Sequence, residues 1–440
     1  MGKHIVAIAR YREPLESVRK AVELSGSFDA LKSDGKVFIK PNIVVWTEKT
    51  VFPKWGVITT SRVIEDIVLL LKERGITDIT IGEGIVTLDP KNTSASAHAY
   101  KALGYEELNR RYGVKFINVF ERPFRKVDIG DGFEVKFNED ILDADFVVNT
   151  PVLKTHVQAV VSLGMKNLKG MLDIPSRKKC HTTDPEKPLV YIISHLPKVL
   201  PPSATIIDGI FSLERGPSPD GKARRSDIII ASPDMLSADM VGAKVLGHEP
   251  ATVPAMVHAA RTWNRPADLS DIEVKGEPIE SVASFHEYDF PYNKDKTLHL
   301  KMEKMGVKGL SYRKYDDTMC TYCSVINGAL LMAIMFAWKG QPWDDIEILS
   351  GKKMQPTPGK KKTILLGQCM FNLHKNNPVI NEMLPIKGCP PKFDDTIEVL
   401  HNAGIQVEPA IFNNIEMGLS YFMSKYQGKP EFDESFFRVD

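Results

Sequence analysis

Long apolar runs are the first thing this 440-residue sequence lacks. Its longest, residues 328–338, is well short of the ~20 residues that a membrane-spanning helix needs. No membrane span is expected. The start, Met-Gly-Lys-His-Ile-Val-Ala-Ile-Ala-Arg, has too short an apolar stretch for a signal peptide and reads as a first strand. An excess of one charge is missing too. Lys and Arg number 57 against 56 Asp and Glu, a formal net charge of +1, so nothing pulls the whole chain toward nucleic acid. Internal repeats and low-complexity tracts are absent. So is a complete dinucleotide fingerprint: Gly82-x-Gly84 lacks the third glycine and the helix that should follow at once. Cysteine is scarce, five in all, and without the pattern of a secreted disulfide framework. These absences make a cytoplasmic protein the expectation. With 43% hydrophobic and 26% charged residues the chain can build a sizeable core. At about 150 residues per domain, it has room for two or three.

The few cysteines are concentrated. Four of the five fall within residues 320–389, as Cys320-Thr-Tyr-Cys323, Gly-Gln-Cys369 and Gly388-Cys389-Pro390-Pro391. A Cys-x-x-Cys pair lets two thiolates reach one centre from a single turn, and two further ligands can come from distant loops. The apolar run 325–338 reads as a helix, which puts the pair at its N-terminus, where free N–H groups and the dipole favour thiolate charge. Cys320, Cys323, Cys369 and Cys389 are therefore expected to hold a [4Fe-4S] cluster. Structural zinc, which more often uses two close pairs, and redox-active thiols are the alternatives. His374, five residues past Cys369, is either a donor to that centre or an ordinary loop residue.

From residue 1 to about 250, short β-type runs alternate with helical ones. This is the pattern of a mostly parallel sheet with flanking helices, an α/β fold. Strands are predicted at 4–9, 36–39, 78–81, 145–148, 205–207 and 227–231, and helices at 14–24, 61–74, 96–103, 189–196 and 235–246. Residues 251–310 read as a connecting segment packed on this main domain. Residues 311–440 read as a smaller α/β cluster-binding domain, with strands at 345–349, 363–366 and 405–408, helices at 394–402 and 413–425, and a draped or mobile tail from 428.

Ligands of open α/β sheets bind outside the carboxyl ends of the strands, and polar clusters follow the strands repeatedly. They are Lys40-Pro41-Asn42, Gly82-Glu83-Gly84, Asn149-Thr150-Pro151, Asp208-Gly209 and Ser232-Pro233-Asp234. The most informative loop spans 152–182, with six Lys or Arg and one Asp. Lys154, His156, Lys166 and Asn167 offer donors suited to a carboxylate or phosphate. A solvated basic loop is the plainer alternative, but Gly164 and Gly170 would permit close backbone approach to a ligand. Nucleic acid is disfavoured because aromatic residues are not interleaved. Asp208 suits a metal, a lysine or a turn; Asp239, inside a helix, suits a lysine partner or an acid; Cys180 has basic neighbours that favour its thiolate.

Several of these blocks resemble a known family. Lys40-Pro41-Asn42, Asn149-Thr-Pro-Val-Leu-Lys154-Thr-His156, Met165-Lys166-Asn167-Leu-Lys-Gly170, His181, Ile207-Asp208-Gly209-Ile210 with Gly216-Pro217, and Ala231-Ser-Pro-Asp234 with Ala238-Asp239 look like the family called domain of unknown function 362. The resemblance spans roughly residues 35–285. It implies an iron–sulfur-associated member, since members often carry ferredoxin-type cysteine runs at the C-terminus. This chain has no such run, and its Gly-Cys-Pro-Pro piece is instead similar to a cluster-ligating loop of hydrogenase small subunits and a related complex I subunit.

The expected function is a cytoplasmic iron–sulfur oxidoreductase that delivers electrons to an anionic small molecule at the strand ends. Lys40, Asn42, Lys166 and Asn167 would bind it, and Lys154, His156, His181 and Asp208 would serve the chemistry. A redox partner protein is implied, and a homo-oligomer is left open. Should one cysteine not ligate, an open iron acting on substrate oxygen returns as a reading. The alternative from another class is a non-catalytic electron carrier or assembly factor for a larger redox enzyme.

Overall fold

Runs of Val, Ile and Phe that stop at a polar residue become the strands of two largely parallel sheets in the computed structural model, which describes residues 2–87 and 92–439. The chain divides into two units. The first comprises Met1–Ser176, Val190–Asp289 and Leu419–Asp440; the second comprises Arg177–Leu189 and Phe290–Gly418. This differs from the division at 250 and 310 read from the sequence. Residues 254–289 join the first unit, where Ile272–Gly276 is an edge strand, while 298–307 feed the core of the second.

In the first unit the sheet has ten strands. The main path runs Ile272–Gly276, His4–Arg10, Lys222–Ser232, Ser203–Glu214, Phe146–Asn149, Val37–Lys40, Ile79–Glu83, Lys115–Asn118. Lys222–Ser232 is antiparallel to both neighbours, and the other pairings on this path are parallel. Val152–His156 branches off Ser203–Glu214 and carries Val160–Ser162 antiparallel. Central strands are apolar along their length because helices cover both faces; Val6 through Ala9 and Val37 through Ile39 are buried. Two helices start on side-chain caps: Thr60 Oγ1 accepts from Val63 N, and Asp234 Oδ1 from Ser237 N (2.8 Å).

One element departs from expectation. The strands read at 205–207 and 227–231 are parts of a much longer hairpin, Ser203–Glu214 with Lys222–Ser232. The tail from 428, read as draped or mobile, is the former: together with Tyr426 before it, it packs within the first unit through its aromatic residues. Tyr426 lies 5.2 Å from Trp55, Phe436 lies 5.6 Å from Phe211, and Phe437 is buried.

The second unit holds a four-stranded, all-parallel sheet in chain order: Leu310–Tyr312, Ile346–Leu349, Lys362–Leu366, Glu382–Ile386. The Thr321–Ala337 helix buries Ile326, Leu330 and Ile334 in a core with Ile364, Leu400 and Phe412. Its one buried polar side chain, Asn327, accepts from Tyr312 Oη at 2.7 Å. Glu382–Ile386 and the Gln368–His374 helix were not foreseen, and residues 405–408 form no strand. In place of a helix at 413–425 the chain makes a short helix, Pro409–Asn413, then a 3-10 turn, Met417–Lys425. No described helix is long and apolar enough to cross a membrane.

Gly309 starts the first strand of this unit at φ +74°, where an added Cβ would lie 1.9 Å from the Trp343 carbonyl oxygen. Gly309→Ala should therefore cost about 2–4 kcal/mol in strain and displaced backbone. A denaturant titration followed by tryptophan fluorescence should show the loss; an unchanged midpoint would contradict this packing.

Candidate functional site

Lys40, Glu83 and Asn149 are the last residues of three parallel strands that lie side by side. From Val37–Lys40 the chain builds outward to Ile79–Glu83 on one side and returns to Phe146–Asn149 on the other, so a topological switch point falls here. Their side chains are buried and meet across it. Lys40 Nζ donates to Glu83 Oε2 (2.8 Å), Pro41 O (2.6 Å) and Asn167 Oδ1 (3.2 Å). Glu83 also accepts from Ile43 N (3.0 Å) and Gly84 N (2.9 Å). Asn167 Nδ2 donates to Asn149 Oδ1, and Asn42 Nδ2 to Asn167 Oδ1, both at 2.8 Å. Lys154 Nζ completes the network by donating to Asn42 Oδ1 (2.6 Å) and Val57 O (2.7 Å). The structure thus brings together Lys40, Asn42, Lys154 and Asn167. It adds Glu83 and Asn149, which the sequence placed at strand ends without a role.

The cluster is rich in amines, but burial works against their charge. Glu83 answers Lys40, but Lys154 has only neutral oxygens as hydrogen-bond acceptors. Burial pulls its ammonium down to about 7, against the pull of Glu83 and helped by Lys40. Lys166, on the short Gly164–Asn167 helix, makes no hydrogen bond or ion pair among the described residues. Part of its side chain reaches the surface, yet burial of the amine, then repulsion from Lys169 and Lys154, lower its pKa far below that of a free lysine. Asp239 holds that helix in place: its oxygens accept from Gly164 N (2.6 Å) and Met165 N (2.9 Å), and burial raises its carboxyl to about 7. It pairs with no lysine.

Two of the four expected catalytic residues have other partners. Asp208 accepts from Thr60 N (2.7 Å) and Ile210 N (3.0 Å), so it fastens the start of the Ser61–Glu73 helix. His181 belongs to the second unit, where its Nδ1 lies 2.8 Å from Asp317 O. The reason is the chain path: residues 177–189 of the basic loop fold with the cysteine-bearing unit. His156 is buried at the end of Val152–His156, with Nδ1 accepting from Gln158 N (3.1 Å).

In the second unit the cysteines also lie at strand carboxyl ends. Cys320 caps the Thr321–Ala337 helix, Cys369 opens the Gln368–His374 helix after Lys362–Leu366, and Cys389 follows Glu382–Ile386. Gln368 N donates to Gly388 O (3.0 Å), tying the last two loops together. Gly367, at φ +90°, leaves room for Cys323, whose Sγ would lie 3.2 Å from any added Cβ. The Cys323 thiol donates to Cys320; this bond and N–H groups of the helix start hold Cys320 below the usual thiol range despite burial, and push Cys323 up. Cys323 also feels the charges of Cys369 and Cys389, so the four lie within electrostatic reach of one another. Among the described residues, no three His, Cys, Asp or Glu side chains gather closely enough to hold a single metal ion. His374 does not turn toward the thiols: its ring nitrogens are taken by Met354 O (2.8 Å) and Asn377 Nδ2 (3.0 Å).

The strand-end network lies within a recognisable segment. Residues 37–244 match the family model described as domain of unknown function (DUF362). The DUF362 segment contains every residue of the buried network and ends before the four clustered cysteines. A thylakoid-associated protein of Synechocystis sp. is 27% identical over 258 residues, which cover 57% of this chain and 76% of that protein. Among solved structures, the lactate racemase apoprotein of Thermoanaerobacterium thermosaccharolyticum overlaps 56% of this chain at 12% identity with a TM-score of 0.34. The chain spans 57% of that protein's length.

Lys154 yields a pH prediction. Its folded pKa of about 7 lies below the ~10.4 of an unfolded lysine. Between these values the unfolded chain binds the extra proton, so this group makes stability rise with pH by up to about 1.4 kcal/mol per unit. Below about 7 its contribution is flat and unfavourable. Denaturation measured from pH 6 to 10 should show that Lys154→Met removes this slope; identical slopes in both proteins would place the charge elsewhere.

Proposed function

We propose that this chain is an iron–sulfur oxidoreductase in which the second unit holds a [4Fe-4S] centre on Cys320, Cys323, Cys369 and Cys389, and the DUF362 segment binds an anionic small molecule. The observation that carries the reading is the placement of four thiols on elements that leave the carboxyl end of one small parallel sheet, within electrostatic reach of one another, with the ammonium of Lys178 against one of them at 3.3 Å. Two thiols come from one helix start, a third from the first turn of another helix and the fourth from a loop, a donor set suited to a polynuclear centre. When bound, such a centre supplies transfer of one electron at a time.

The protein's own residues would do the rest. Lys166 and Lys154, whose protonated forms burial disfavours, would take up a proton as a carboxylate or phosphate binds, with Lys40 already neutralised by Glu83. Asn42 fixes the position of the Lys154 amine and Asn167 that of Lys40. His156, in the same unit, is the residue to give or take a proton. Reduction of the bound anion by two electrons needs two protons and two deliveries from a reduced one-electron carrier protein, the implied redox partner. Thiols in a reducing cytoplasm fit this assignment; the thylakoid-associated relative makes a membrane surface the competing address.

A second reading is favoured by exposed apolar side chains beside the thiols. Leu373, four residues after Cys369 on one helix, and Val379 are both exposed, as expected of a carrier or assembly factor that docks through this end.

Iron and acid-labile sulfide, measured on protein purified without oxygen, test the centre. About four of each per chain, with an absorption shoulder near ~400 nm that Cys320→Ala or Cys389→Ala abolishes, is the expected result. Zinc, or no metal, would sink it. Calorimetry with inorganic phosphate and malonate then separates the two readings. Binding that weakens at least about tenfold in Lys166→Ala supports the enzyme, by the ~1.4 kcal/mol a charged contact contributes; no binding to the native chain favours the carrier.

A further inference from the structure

The basic run that begins in the DUF362 segment does not end there. Residues 177–189 fold with the cysteine-bearing unit, and their backbone is gripped from it. Lys352 Nζ donates to the carbonyl of Lys178 (3.0 Å) and to that of His181, and His181 Nδ1 is bonded to Asp317 O. The result is a single placement of Lys178. Its ammonium donates, in exposed hydrogen bonds, to Cys389 Sγ and to Cys389 O, each at 3.3 Å, and lies 4.8 Å above the Tyr322 ring. Tyr322 is one of the two residues between Cys320 and Cys323. Lys178 therefore touches two of the loops that carry thiols, one through a sulfur and one through an aromatic face.

We propose that Lys178 sets the reduction potential of the four-thiolate centre, an inference that rests on the iron–sulfur reading above. The physical argument is short. Adding one electron to a centre ligated by four thiolates increases its negative charge. A fixed cation hydrogen-bonded to one ligand stabilises that more negative state over the oxidised one, so it raises the potential. The contact with the Tyr322 face keeps the amine on the sulfur instead of in solvent. Lys352 also lowers the pKa of Cys320 and Cys369, but its amine is spent on carbonyls of the 177–189 segment, so it acts chiefly by positioning Lys178.

The test uses the full-length chain loaded with iron without oxygen, in the native form and as Lys178→Gln and Lys178→Arg. Iron and sulfide are counted first, then the midpoint potential is read by a redox titration followed by electron paramagnetic resonance. The expected result is full iron in all three proteins, a clearly more negative midpoint in Lys178→Gln, and a midpoint near native in Lys178→Arg. Equal midpoints in the iron-loaded native and Lys178→Gln proteins would overturn the proposal while leaving the centre intact. So would an Arg variant that shifts as far as the Gln variant, or loss of iron from both variants, since either makes Lys178 a matter of shape and not charge. A native chain without iron overturns the underlying reading itself, a different and separately visible failure.

Discussion

An ammonium group buried to zero exposure at the end of a sheet has to be answered by oxygen atoms, and most of the first unit's polar architecture follows from answering two. Lys40 and Lys154 are both fully buried. Leaving such a charge unpaired costs several kcal/mol. Lys40 is met by a carboxylate and two carbonyl-type oxygens, and stays paired with Glu83. Lys154 meets only Asn42 and the Val57 carbonyl, so its charge is only marginally held near neutral pH. The three asparagines at 42, 149 and 167 cannot be exchanged for one another, because each amide is oriented by the donor or acceptor next to it. Gly170 has to lack a side chain for a related reason: a Cβ there would come within 2.3 Å of Glu83 Oε1 and 2.7 Å of Lys40 Nζ.

The same constraint of architecture appears in both units. A parallel sheet covered on both faces must be apolar through its strands, which leaves their carboxyl ends as the place where polar chemistry can stand. In the first unit those ends carry amines and amides. In the second they carry thiols, with a glycine, Gly367, clearing the approach of one loop to another. The difference between the two sites lies in a few terminal residues, while the scaffolding logic is shared.

This is also why much of the molecule was legible in its sequence. A buried parallel strand is a short apolar run ended by Lys, Glu or Asn, and that pattern locates Val37–Lys40, Ile79–Glu83 and Phe146–Asn149 to within a residue or two. The Cys-x-x-Cys pair at a helix start is legible for similar reasons of local chemistry. What was not legible depends on distant partners. Asp208 follows an apolar run and looks like a strand-end acid, yet the strand passes through it to Glu214, and its oxygens serve a helix start 148 residues earlier. The tail leaves draped and mobile both open because its few aromatic residues, Phe432, Phe436 and Phe437, are spaced irregularly. Only the waiting faces of Trp55 and Phe211 make them core. Nothing local in residues 177–189 announces that they leave one unit for the other.

That excursion changes what the basic loop means. Six cations between 154 and 179 look like a single electrostatic feature, built for one anion. The fold divides them. Lys154, Lys166 and Lys169 stay in the first unit, while Arg177, Lys178 and Lys179 are carried into the second. On the proposed reading the positive charge would serve different partners: a mobile anion in one unit, the cysteine sulfurs in the other. A lysine that is to meet a ligand would be best left unpaired until it arrives, and among the described residues Lys166 makes no hydrogen bond or ion pair. Lys178 is instead held at two points, by a ring and by a sulfur. On that reading, the contrast between an open amine and a fixed one, twelve residues apart on one chain, would follow from the lifetime of the charge each one faces.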